Sequence, residues 1–129
     1  MSAKVSYLNP PSSGTPLGLY SQIARVQPGE MVYIAGQLAP GTFEEQFRAV
    51  FKAIGDILGD IGADYDSVAK FTTYLVHESD IEPFMELRKQ VFPELFKGDA
   101  YPPNTLLILD RLVREEFLIE VEAVARIPG

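Results

Sequence analysis

Glu120 and Glu122 stand two residues apart in "FLIEVEAVA" (117–125), a run whose alternation predicts a strand. Both carboxylates therefore point to one face of a sheet, together with Leu118 and Val124. Carboxylates are the groups that take and give protons in general acid–base chemistry. What they do here depends on that face. A half-apolar sheet face with charges set into it marks an oligomer interface or a pocket, whereas the same pattern also suits the solvated side of an antiparallel sheet. A second position of interest is Asn104 in "DAYPPNTLLILD", presented by two prolines at the head of an apolar strand. Its amide can donate and accept hydrogen bonds but carries no charge. It either holds a ligand or closes the Pro-Pro turn. Tyr20 offers a ring and a hydroxyl for a ligand, or plain packing. His77, in "VHESD", is the sole histidine and reads as an exposed loop residue.

The composition narrows the chemistry. The chain has 129 residues, 47% of them hydrophobic, which suits one domain with one sizeable core. A net charge of −7 without any run of Lys or Arg makes nucleic acid an unsuitable partner. With no cysteine and one histidine, thiolate and histidine metal sites and cysteine nucleophiles are excluded. No Gly-rich phosphate loop or nucleophile elbow is present, and no cofactor is expected. Residues 1–14 have no apolar core of a signal peptide, and no apolar run is long enough to span a bilayer. The expectation is a soluble, cytoplasmic protein.

The elements that must position these residues follow from periodicity. Residues 1–18, rich in Ser, Pro and Gly, predict an extended arm. "LYSQIARV" (19–26) and "MVYIAGQL" (31–38) predict two strands joined as a hairpin through Pro28-Gly29. Phe43, Phe47, Val50, Phe51, Ile54, Ile57, Leu58 and Ile61 fall on one helical face, opened by a Thr42/Glu45 capping box and closed at Gly59 and Gly62. "SVAKFTTYLV" (67–76) predicts a strand. "SDIE" (79–82) reads as a second capping box, before a helix outlined by Ile81, Phe84, Met85, Arg88, Val91 and Phe92 and ended by Pro93. "TLLIL" (105–109) and 117–125 complete the order β-β-α-β-α-β-β. That order suits an α+β protein with both helices on one face of a mixed sheet. Ile119, Val121, Ala123 and Ala125 should then lie under the helices and Glu120 and Glu122 on the open side.

Several stretches, taken in order, resemble the YjgF/YER057c/UK114 family, also called the Rid family or endoribonuclease L-PSP. "LGLYSQ" (17–22), "VYIAGQ" (32–37), "GADYDSVAKFTTYL" (62–75), "YPPNT" (101–105) and "IEVEAVA" (119–125) are similar to its successive motifs. The resemblance implies a chorismate-mutase-like fold and a homotrimer, with the open sheet faces forming a central barrel and small-molecule pockets between subunits. It implies pocket roles for Tyr20, Gly36, Gln37, Asn104 and Thr105, and a catalytic, water-positioning role for Glu120. The best-studied members of that family hydrolyse reactive imine and enamine acids, and in them a pocket arginine grips the substrate carboxylate, as a guanidinium's paired hydrogen bonds allow.

This chain departs from the pattern at the pocket. Asn104 stands at the arginine position, Leu106 where a cysteine is common, and Ala35 where a serine precedes Gly36-Gln37. Arg88 stands where the family often has an asparagine, so the two positions look reciprocally exchanged. If Arg88 enters the same pocket, a guanidinium is retained from the helix side; otherwise it is a solvated helix residue. Three functions remain: a Rid-like hydrolase of altered specificity, a non-catalytic metabolite-binding or regulatory trimer, and a ribonuclease. The acidic charge and the lone histidine argue against the last.

Overall fold

The computed structural model describes residues 4–127. Four strands form a mixed sheet in the order β3-β6-β4-β5: β3 (Glu30–Gln37), β6 (Ile119–Ile127), β4 (Val68–Leu75) and β5 (Asn104–Ile108). β6 runs antiparallel to both neighbours, and β5 is parallel to β4. Helices α1 (Phe43–Asp60) and α2 (Ile81–Leu95) make the two crossovers and pack on the same face. β6 shows the alternation read from the sequence: Ile119, Val121, Ala123 and Ala125 are buried, while Glu120, Glu122 and Val124 are only partly covered.

The core is aromatic. Phe51 of α1 meets Phe71 of β4 and Phe92 of α2 edge-on, with ring centroids 5.4 and 5.2 Å apart. Such pairs add to the large apolar burial of each ring. α1 opens with the expected capping box: the Thr42 hydroxyl accepts from the Glu45 amide, and the Glu45 carboxylate accepts from the Thr42 amide. It closes at Gly62, whose φ of +77° is the left-handed conformation in which Ala63 donates to the Leu58 carbonyl.

Three local expectations are corrected. β3 does not form a hairpin with the preceding strand. Ile23–Val26 (β2) pairs instead with Val5–Leu8 (β1), and β3 pairs with β6. The reason lies at the turn: the Arg126 guanidinium, 4% exposed, donates to the carbonyls of Gln27 and Pro28. The turn is thereby fixed to the end of β6, and the N-terminal arm supplies β2's partner. At α2, residues 78–80 already turn as a 3-10 helix, so Asp80 has near-helical backbone angles and no side chain caps the start. Pro93 does not end α2, which runs on to Leu95; Pro93 is exposed while Phe92 and Phe96 hold the last turn in the core.

One polar residue of the core escaped the pattern reading. Gln46 on α1 is fully buried. Its amide nitrogen donates to the carbonyls of Gly41 and Glu116, and its amide oxygen accepts from the Leu118 amide at 2.8 Å. It binds the segment entering β6 to the helix, and so sets where Glu120 emerges. Gln46→Leu leaves these three backbone groups without their partner. The expected loss of stability is about 3 kcal/mol, read as the shift in urea midpoint at unchanged slope.

Candidate functional site

β6 places Glu120 on the open sheet face, in register with Tyr74 of β4. On the next rung of that face are Glu122, Thr72 and Thr105, contributed by β6, β4 and β5. The Tyr74 hydroxyl donates to the Glu122 carboxylate, and that bond together with burial raises the hydroxyl's pKa. Glu120 is held above the ordinary carboxylate range by burial first and by the negative charge of Glu122 second. On the other side of Glu120, β3 is irregular between Ile34 and Gln37. Gly36 lies there, and a side chain at that position would run into the Glu120 carboxylate. The glycine of the Gly-Gln pair thus makes room for the glutamate. Gln37 turns its amide back to the Ala35 carbonyl, at 2.9 Å.

A cleft of about 430 Å³ opens at the head of β5 and is lined by Tyr20, Gln22, Lys70, Asn104 and Thr105 among others, with no Asp or Glu in its wall. Asn104 is half-buried. Its amide oxygen accepts from the buried Thr73 hydroxyl at 2.8 Å, which leaves the amide NH₂ as the group to meet a ligand. Asn104 is in register with Phe71 and so belongs to the helix side of the sheet, whereas Thr105 belongs to the open side.

Arg88 is 2% exposed, far from the solvated alternative. Its guanidinium lies over the ring of Phe84 at 5.0 Å and that of Tyr20 at 5.7 Å. The Tyr20 hydroxyl meanwhile accepts from the Leu17 amide. One Arg88 nitrogen reaches the Met85 sulfur at 3.3 Å, while Nε and Nη1 are buried with no partner. Burial pushes its pKa down to about 10, against a smaller opposing influence of Tyr20.

The expected site residues therefore form two groups within the chain. Tyr20, Asn104 and Thr105 line one cleft, and Arg88 stacks on Tyr20. Gly36, Gln37 and Glu120 gather on the open face of β3 and β6. Two polar residues were missed. Lys70, the cleft's cation, looked like an ordinary charged strand residue. Tyr74 could have been found from its phase, since it alternates with the buried Phe71, Thr73 and Leu75 and must share the face of Glu120. His77 is exposed at the end of β4. Among the described residues no group of His, Cys, Asp and Glu is placed to hold a metal ion, and no helix is long and apolar enough to cross a membrane.

Comparison with known proteins gives a consistent result. Residues 12–127 match the sequence profile of the family described as endoribonuclease L-PSP. A RutC family protein of Pyrococcus abyssi is 33% identical over 119 residues, covering 85% of this chain and 87% of its own. The 2-iminobutanoate/2-iminopropanoate deaminase of Mus musculus is 33% identical over 118 residues, covering 84% and 82%. Among solved structures, a Rid family protein of unknown function from Yersinia pestis superposes with a TM-score of 0.82 at 20% identity, over 96% of this chain and 99% of that one.

Proposed function

The chain belongs to the endoribonuclease L-PSP or Rid family, with its chorismate-mutase-like fold, and from that premise we propose that it is a cytoplasmic, homotrimeric hydrolase of an imine or enamine acid, with specificity altered from that of its deaminase relatives. The observation that carries the reading is Glu120: a carboxylate on the open sheet face, given room by Gly36, with its pKa raised by burial and then by Glu122. Such a group can take a proton from a water molecule as the water's oxygen bonds to the carbon of a protonated C=N group, pass it to the nitrogen of the carbinolamine so formed, and take up the hydroxyl proton as the C–N bond breaks and the C=O forms. The products are the keto acid and ammonia. Self-association is supported by apolar surface on the same face, where Tyr33 is 79% exposed and Leu107 40%. In the trimer proposed here the Glu120 group of one subunit meets the cleft of the next.

Altered specificity rests on Asn104, which cannot supply the charged fork that a carboxylate prefers. The same residue favours the second reading, a binding or regulatory trimer without catalysis. A ribonuclease is the reading with least support, because the net charge is −7 and His77 stands alone and exposed. The deciding experiment generates 2-iminopropanoate and its longer-chain homologues in situ with an amino-acid oxidase and follows loss of the imine. We expect acceleration over buffer for at least one homologue. Uncatalysed rates for all of them would overturn the hydrolase reading and leave the binding one.

A further inference from the structure

We propose that Arg88 is this protein's carboxylate-binding residue, a guanidinium buried in advance for a small organic acid that enters beside Tyr20. The inference rests on the small-molecule reading above and names the anionic end of its ligand. A cation sealed from water without a counter-charge is unfavourable unless something else supplies one. Arg88 belongs to no ion pair among the described residues, and its only hydrogen-bond partner is a thioether, a weak acceptor. The two rings take up part of its charge through their faces. They leave the in-plane N–H groups, which Nε and Nη1 show unused. In-plane N–H groups are what a carboxylate binds.

The surroundings are built for this. The loop over the guanidinium passes at Gly18, where an added Cβ would lie 2.5 Å from Nη2 and 2.8 Å from the Met85 methyl, so a side chain there would push both groups aside. Tyr20 borders both the guanidinium and the cleft and is, among the described residues, the one ring between them. The cleft wall carries Lys70 and no acid, in a chain of net charge −7. An acidic protein that keeps one cleft free of carboxylates and two cations beside it presents that cleft to an anion.

The test is calorimetric titration of pyruvate, 2-oxobutanoate and the neutral amide pyruvamide into wild type, Arg88→Gln, Arg88→Lys and Gly18→Ala. Folding of each variant is checked by circular dichroism. We expect a keto acid to bind the wild type, Arg88→Gln to weaken it at least about 30-fold, and Arg88→Lys to recover part of the loss. Gly18→Ala, which keeps the charge but crowds it, should weaken binding too. Pyruvamide should not distinguish wild type from Arg88→Gln. The proposal falls if neither keto acid binds the wild type, or if one binds wild type and Arg88→Gln alike. It also falls if Arg88→Gln changes only the association state, since the guanidinium's partner is then a carboxylate of a second copy. Imine hydrolysis separates this from the reaction. Arg88-dependent binding without turnover leaves the anion site standing and removes the hydrolase; turnover with binding indifferent to Arg88 does the reverse.

Discussion

Glu120→Gln is expected to lower kcat for imino-acid hydrolysis by about 10²–10⁴-fold, with keto-acid affinity held within about threefold. The amide keeps the shape against Gly36 and gives up the proton chemistry. The pH profile carries a second, independent signature. A carboxylate acting as base works in its ionised form, above its pKa. Burial and Glu122 both raise that pKa, so activity should rise with pH through a limb displaced upward from the ordinary carboxylate range. Glu122→Gln removes one of the two causes. The limb should then move to lower pH, while the displacement due to burial stays. Tyr74→Phe leaves Glu122 charged and frees it from its hydroxyl partner, so that variant should not move the limb down. A kcat unchanged in Glu120→Gln would reduce Glu120 to a strand residue.

How much of this could be read in advance depended on how local each feature is. The α1 stripe, the Thr42–Glu45 box and the alternation of β6 are set by neighbours a few residues away and are as read, except at the end of α1, where Gly59 stays within the helix and Ile61 lies just past it and is exposed. The partner of β2 was misread because strand pairing is settled by contacts far along the chain, here Arg126 clasping the turn at Gln27 and Pro28. The site divides the same way. Glu120 was placed by its phase on one strand. The Glu122–Tyr74 bond joins two strands 48 residues apart in sequence, and Lys70 reaches the cleft only through sheet assembly. Arg88 had a local signal: it continues the apolar spacing of Ile81, Phe84, Met85, Val91 and Phe92. A charged residue in phase with a buried stripe is either solvated at its edge or drawn in with it, and the burial found for Arg88 selects the second.

The exchange of Arg88 and Asn104 yields a prediction that single substitutions cannot. If both positions serve one ligand, Arg88→Asn combined with Asn104→Arg should bind keto acid within about fivefold of the wild type, although Arg88→Asn alone loses about 30-fold, or about 2 kcal/mol. Asn104→Arg alone adds a second guanidinium to a region that already holds Lys70 and Arg88 around Tyr20. It also removes the acceptor of the buried Thr73 hydroxyl. Both changes act against the folded state, by about 1 kcal/mol each, so its melting temperature should fall and a keto acid should restore more of it than in the wild type. In the double variant the repulsion from Arg88 disappears, while that from Lys70 and the Thr73 loss remain. Energetic coupling between the two substitutions is the quantity to read, because contacts that share a ligand do not add. A double variant as weak as Arg88→Asn, with no coupling, would mean that a guanidinium at the head of β5 and one on α2 never face the same carboxylate. The Arg88 site would then have to stand on its own titration.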